Sequence, residues 1–389
     1  MRRYSIIIAV IFSCLISGIS QLSAQITSSR LNGKISSEGS FVIGATVTAV
    51  HQPSGTVYRT VSNGDGRYNI QGMRVGGPYQ ITVHYIGSKT REVENVYLSL
   101  GESFSLDINM RQDAQQLGEV LVVGRSAPGF SNAKTGASTH ISSSQILNMP
   151  TASRSVSDIV RLSPYANGMG FSGGDGRSTN FRLDGANLNN NFGLNSMLPG
   201  GGNPISLEAI DEMQVVIAPY DVRQTNFIGG GINAVTKSGT NTFRGTAYLY
   251  YDNENMHGNR VNDTDLGERG TNRNTTYGFT LGGPILKDRL FFFTNFEHSY
   301  IPTVINRWQG SEDGIASSQK YLSRTTLSDL QKVSAYVKEK YGYDTGSYTE
   351  FPGDENNTKF LARLDWNITD SHHLALRYNY TGNKSWNIP

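Results

Sequence analysis

From Thr240 onward the chain alternates apolar and polar residues with a period of two, and no other feature restricts its fold so tightly. In residues 243–251, Phe243, Gly245, Ala247, Leu249 and Tyr251 share one face, while Arg244 and Thr246 begin the other. In residues 358–369, Phe360, Ala362, Leu364, Trp366 and Ile368 alternate with Leu361, Arg363, Asp365 and Asn367. Leu374, Leu376, Tyr378 and Tyr380 alternate in the same way with Ala375, Arg377 and Asn379. Strands of about ten residues with one apolar and one charged face suit a membrane barrel, with lipid outside and water inside. A soluble sandwich alternates too, so the connections have to decide. Residues 282–289 and 367–372 read as short turns, whereas 252–273 and 302–357 are long and polar. Short turns at one end and long loops at the other are the asymmetry of an outer-membrane barrel.

The N-terminus fits export. Met1-Arg2-Arg3 precedes an apolar run, and Leu22-Ser23-Ala24 supplies small residues, so residues 1–24 read as a secretory signal cleaved after Ala24. The single cysteine, Cys14, lies inside that run behind Ile11-Phe12-Ser13, a poor lipoprotein signal. A mature chain without cysteine has neither a disulfide nor a four-cysteine zinc site. No later stretch holds about 18 consecutive apolar residues, so no spanning helix is expected. The formal net charge of +2 gives no reason to expect a nucleic-acid partner.

Between the signal and the barrel pattern, three regions are legible. Residues 25–111 carry about seven short strand candidates (30–35, 45–50, 57–61, 67–70, 79–85, 93–98 and 103–110), the pattern of a β-sandwich. Asn63-Gly64-Asp65-Gly66 marks a tight turn between two of them. Residues 112–125 form a polar linker ending in a β-prone run that includes Glu119, Val120, Leu121, Val122 and Val123. Such a run can add itself to a partner's sheet edge, or simply be the last strand of the sandwich or the first strand of the α/β region after it. Residues 126–239 read as mixed α/β. Helical spacing is expected over 141–148 and 155–162, with Ser153 or Ser155 as cap, and strands over 179–183, 213–217 and 231–236. A short acidic helix is expected over 206–212, and Pro219 interrupts the strand after it.

Two tempting motifs fail on chemistry. The glycine-rich run 168–176 has no Gly-Lys-Ser/Thr to cradle phosphate and no strand-to-helix switch around it. His372-His373 lacks a third ligand and reads as a turn flank, so no metal site is expected. Within the long polar segment 302–357, residues 328–341 read as a helix with Leu330, Val333, Val337 and Tyr341 on one stripe. Trp308, Tyr321, Tyr343 and Tyr348 either meet a ligand or pack on one another, and no binding residue is singled out.

Several stretches carry a family resemblance. Gly44-Ala45-Thr46-Val47, Asp65-Gly66-Arg67-Tyr68 and Tyr85-Ile86-Gly87 resemble the carboxypeptidase regulatory-like domain, a non-catalytic module. The run 205–241, with Asn180-Phe181-Arg182-Leu183-Asp184-Gly185 and Asn189-Asn190-Asn191-Phe192-Gly193, resembles the plug of TonB-dependent outer-membrane receptors of the Oar-like, SusC-related branch. The resemblance implies a mainly β chain: signal peptide, β-sandwich, mixed α/β plug over 126–239, and the first strands of a transmembrane β-barrel from 240 to 389. It implies a TonB box at residues 119–123, TonB and outer-membrane lipid as partners, an extracellular ligand with peptide or glycan preferred, and neither catalytic residues nor a cofactor. Since the family closes its barrel with roughly 22 strands and about five fit here, the chain is expected to be the N-terminal part of a longer protein. Two other classes stay open at this point: an adhesin that kept the receptor architecture, and a soluble periplasmic binding protein using the sandwich alone.

Overall fold

The computed structural model describes residues 26–110, 120–122, 137–151, 154–189, 198–199, 201–217, 224, 227–265, 273–302, 308–318, 321–346 and 353–385. The expected signal segment with Cys14, Ser153, Pro219 and Tyr348 lie outside them. The chain divides into two compact units. The first comprises Met1–Gly245, Thr280–Thr294 and Leu361–Tyr378; the second comprises Thr246–Phe279, Asn295–Phe360 and Asn379–Pro389.

The first unit opens with a β-sandwich built from β1 (Ser29–Ser37), β2 (Ser40–Phe41), β3 (Thr46–His51), β4 (Thr56–Val61), β5 (Arg67–Met73), β6 (Gly76–His84), β7 (Arg91–Leu98), β8 (Ser103–Ser105) and β9 (Ile108–Met110). One sheet centres on β1, which pairs β2 and β5 antiparallel and β8 and β9 parallel. The other runs β10-β7-β6-β3-β4, where β10 is Val120–Val122. Alternate residues Leu31, Ile35, Val47, Ala49, Ile81 and Val83 point inward and are fully buried, which is what a period of two predicts for facing sheets. The expected turn holds: Asn63 Oδ1 accepts the N–H groups of Asp65 (3.1 Å) and Arg67 (2.9 Å), and Gly66 takes φ +68°.

The single strand expected over 103–110 is instead two, parted at Leu106 and Asp107. The reason is local. The Leu106 N–H donates to the Asn32 carbonyl at 2.8 Å, while Asp107 Oδ1 accepts the Lys34 N–H at 2.8 Å. The step brings the Leu106 carbonyl so close to Gly33 that a Cβ there would collide with it.

The first unit continues with a third sheet. Its elements are β11 (Ala137–Ser142), α1 (Ser143–Asn148), α2 (Val156–Val160), the small pair β12 (Ala166–Asn167) and β13 (Gly170–Phe171), β14 (Asn180–Leu183), β15 (Ala186–Asn187), β16 (Ile210–Ile217) and β17 (Gly230–Thr236). The order is β11-β16-β17-β14-β15, antiparallel except for β14 against β17. Capping boxes start both helices, Ser142 with Gln145 and Ser155 with Asp158. Helix α1 therefore begins two residues later than expected, because Ile141 is held in β11 opposite Met213 and is 1% exposed.

The acidic helix expected over 206–212 shrinks to one 3-10 turn, Leu207–Ala209, capped by Ser206. From Ile210 the backbone pairs with β17, and Ile210 and Met213 are fully buried. Ladder pairing and burial outweigh the modest helical propensity of an acidic run.

The alternating pattern becomes one five-stranded sheet ordered β18 (Arg244–Asp252), β21 (Asn274–Leu286), β22 (Leu290–Ile301), β25 (Glu355–Thr369) and β26 (His372–Lys384). Between β18 and β21 lies the pair β19 (Arg260–Val261) and β20 (Thr264–Asp265); between β22 and β25 lie β23 (Gln309–Ser311), β24 (Leu322–Thr326) and α3 (Leu327–Tyr341). Strand β21 runs to Leu286, so the turn read at 282–289 narrows to three residues. Large apolar side chains on these strands stand open: Leu249 is 69% exposed, Leu376 61% and Trp366 45%. Exposed apolar rows of this length are foreign to a water-soluble surface.

In the second unit, Glu297 and Lys359 lie on the buried face, joined by a 2.7 Å ion pair, and the Tyr248 hydroxyl donates to Glu297 at 2.9 Å. Helix α3 is capped by Thr326 and closed by left-handed Gly342. Its inward stripe is Leu327, Leu330, Ser334 and Val337, whereas Val333 and Tyr341 face outward, contrary to the expected stripe.

Candidate functional site: an edge strand and a buried ionic network

Of the five residues expected to contact TonB, Val120, Leu121 and Val122 form β10, and Glu119 and Val123 lie outside the described residues. Strand β10 runs parallel to β7, with Val120 opposite Glu92, Leu121 opposite Val93 and Val122 opposite Glu94. It ends its sheet, so among the described residues its second backbone edge pairs with no strand.

The first unit also contains a network of buried charges. Asp184 occupies the turn between β14 and β15 at φ +48°, a conformation that aspartate tolerates better than most residues. Its carboxylate accepts the Thr236 N–H at 3.0 Å and the Thr236 hydroxyl at 2.7 Å. Arg377 Nε stands 3.5 Å from Asp184 Oδ2, and Arg377 Nη1 donates to the Asp184 carbonyl at 3.1 Å. Arg363 grips Asp365 with two parallel hydrogen bonds of 2.8 and 2.9 Å and donates to the Thr236 carbonyl at 2.6 Å. Arg74 completes the group, 3.4 Å from Asp365 and donating to Ser238 Oγ at 3.0 Å. Asp184 and Asp365 are each under a tenth exposed, so both carboxylates give up most of their water and depend on these partners.

Asp211 borders the same group. Burial pushes its carboxyl up to about 6 and neighbouring Glu212 adds to the rise, while Lys237, Arg363 and Arg74 oppose it. Burial lowers the Lys237 ammonium, against the pull of Glu208 and Asp211. These directions agree: the site is dry enough that charge persists only where a partner is in contact.

A second cluster centres on His140 of β11. Its Nε2 is 2.9 Å from Glu102 Oε1 and its Nδ1 is 3.0 Å from Glu212 Oε1, which also accepts the Leu100 N–H at 3.0 Å. Burial by itself disfavours the imidazolium, but hydrogen bonds to Glu102 and Glu212, reinforced by their charge, raise His140 to about 9. A histidine raised above its unfolded value of about 6.5 contributes stability that is complete below that value and disappears as pH climbs through about 9. For His140→Gln the expected cost is on the order of 3 kcal/mol at pH 6, shrinking toward zero above pH 9. Thermal melts of parent and variant across pH 5–10 check this, and a pH-independent gap would exclude the imidazolium bridge.

Sequence reasoning placed Arg363, Asp365 and Arg377 on a polar strand face and Asp184 in a family motif, but did not connect them. It did not single out His140 at all. The available signal was charge at inward positions of otherwise apolar strands. The remaining candidates resolve plainly. Trp308 and Tyr321 pack edge to face at 6.3 Å, while Tyr343 is exposed. His372 Nδ1 hydrogen-bonds Thr369, and the His373 ring lies 5.3 Å from Tyr58. Among the described residues no group of three histidine, cysteine or acidic side chains is arranged to hold a metal.

Residues 30–111 match a carboxypeptidase regulatory-like domain, and residues 235–307 match an outer membrane beta barrel domain. The TonB-dependent transporter Oar of Myxococcus xanthus is 23% identical over 346 residues, which cover 82% of this chain and 30% of that protein. The chain therefore spans under a third of the length of this curated relative. Among solved structures, the siderophore receptor PirA from Pseudomonas aeruginosa aligns at 15% identity and TM-score 0.37, covering 67% of this chain and 36% of that one. The outer membrane transporter YddB from Escherichia coli aligns at 14% identity and TM-score 0.44, covering 63% and 33%. The outer membrane beta barrel match, with similarity to the TonB-dependent transporter Oar running through both matched domains, places this chain in the outer membrane as a protein similar to Oar.

Proposed function

We propose that the protein imports a ligand too large or too scarce for porins, energised by TonB. In this reading residues 25–111 are a periplasmic sandwich, 112–125 the coupling linker, 126–239 the plug, and 240–389 the start of the barrel wall. Extracellular loops and the plug apex take the ligand, a peptide or glycan by preference because the sequence carries no metal-chelate signature. Occupancy raises the fraction of molecules whose coupling strand is available. TonB then pairs with residues 119–123 by strand addition, and force drawn from the inner-membrane proton gradient displaces or remodels the plug. Nothing in the scheme makes or breaks a covalent bond.

The observation that carries the reading is the position of β10, a three-residue strand at the end of the second sandwich sheet, following the other sandwich strands in the chain and preceding the third sheet. An unpaired strand edge is a template for another chain. The buried ionic network is consistent with it, because breaking desolvated ion pairs takes work of several kcal/mol. The test uses cells expressing the full-length protein. Deleting TonB, or collapsing the proton gradient with an uncoupler, is expected to stop ligand accumulation and leave surface binding intact. Accumulation that persists without TonB would overturn the energised mechanism, and binding without accumulation in the parent would favour the adhesin.

A further inference from the structure

We propose that the outer face of the β8–β1–β5 sheet binds an acidic oligosaccharide through its carboxylates. The face is a groove of about 650 Å³. Alternation brings Arg30, Asn32 and Lys34 of β1 and Arg67 and Asn69 of β5 to that side, with Ser105 of β8 beside Asn32. The register sets Lys34 directly opposite Arg67 and Asn32 directly opposite Asn69. Like charges facing each other across an antiparallel pair are destabilising unless an anion lies between them.

The chain's own anions do not neutralise this face. Among the described residues, neither the Arg30 nor the Arg67 guanidinium has an ion-pair partner, and the Lys34 ammonium only rests 5.9 Å from the Phe41 ring centroid. Asp107 is the carboxylate lining the groove, and one of its oxygens already accepts the Lys34 backbone N–H. Three cations against one partly committed carboxylate leave positive charge to be met from outside.

A second observation narrows the ligand. Asn32 Oδ1 is buried and has no hydrogen-bond donor among the described residues. It calls for a donor next to the anion, and a carboxylated sugar supplies both, its carboxylate for the guanidinium forks and a hydroxyl for Asn32. An acidic peptide fits less well, since the site is a sheet face rather than an edge and offers no backbone ladder. Neutral sugars held by ring stacking fit less well too. The Tyr68 ring is 3% exposed and its hydroxyl is spent on the Leu106 carbonyl.

Only the compartment of this ligand, the periplasm, rests on the receptor reading. Binding itself is measured on purified full-length protein in detergent, without TonB, so the two can fail separately. Titrated with tetragalacturonate at low salt, the parent is expected to bind, and to bind more weakly as salt rises. Arg30→Gln and Arg67→Gln are each expected to weaken binding about tenfold, the scale of one lost charge-assisted contact, while Arg67→Lys recovers part of it. Lys89→Gln, away from the groove, is the charge control and should bind as the parent does. Circular dichroism verifies that each variant is folded. Maltotetraose binding as well as tetragalacturonate, tetraglutamate binding more tightly than it, or glutamine variants that bind like the parent would each overturn the proposal.

Discussion

Leu121→Pro is expected to abolish energised uptake while the protein still assembles in the outer membrane. Strand addition relies on main-chain hydrogen bonds, so side chains matter less to it than backbone N–H groups. Proline removes one N–H, and its ring also restricts the residue before it, so about two backbone hydrogen bonds are lost. At roughly 1–1.5 kcal/mol each, this weakens TonB pairing by about 100-fold. Leu121→Ala keeps the N–H and should retain most activity. The readouts are accumulation of ligand in cells and heat-modifiable migration of the barrel. Since β10 pairs with β7, proline also loosens that edge of the sandwich, and thermal melts of the variant read that effect separately from uptake. Uptake by the proline variant at the parent's rate would remove residues 119–123 from the coupling mechanism.

Arg363→Met is expected to cost about 3–5 kcal/mol, the penalty for leaving a buried charge without its partner. Methionine fills much of the volume but returns none of the three contacts: the two-pronged grip on Asp365 and the donation to the Thr236 carbonyl. Asp365 is 3% exposed and would keep only Arg74 at 3.4 Å. The double variant Arg363→Met with Asp365→Leu removes both charges, so it should recover part of the loss, by a coupling of about 1–3 kcal/mol. Urea unfolding in detergent, followed by tryptophan fluorescence, measures both. A single-variant cost under about 1 kcal/mol, or a double variant worse than the sum of its parts, would show that the network does not hold this unit together.

Much of the fold was legible because local rules and tertiary needs agree. The sandwich strands follow inward alternation of Leu31, Ile35, Val47 and Ile81, and the 63–66 turn carries its own hydrogen-bonding asparagine. Ser155, one of the two serines offered as a cap, and the barrel strands from 244 onward follow local pattern in the same way. The misreadings occur where pairing overrides propensity. Ile141 and residues 210–212 look helical in isolation, yet β11, β16 and β17 take them as a ladder whose inward residues are buried. The α3 stripe lies a fraction of a turn from the expected one, because Leu327 and Leu330 sit beside Gly310 of β23. That choice depends on the neighbours and not on the helix.

By itself the sequence determined the period of most strands, the tight turn at 63–66 and the division between a polar and an apolar barrel face. These depend on residues a few positions apart, so composition and spacing suffice. Only the tertiary structure decided which charges meet. Arg363 reaches Thr236 across 127 positions and Arg377 reaches Asp184 across 193, distances over which no pattern carries register. The same holds for His140 between Glu102 and Glu212, and for Lys34 opposite Arg67. Local alternation says that a side chain faces inward, and strand pairing alone says what it finds there.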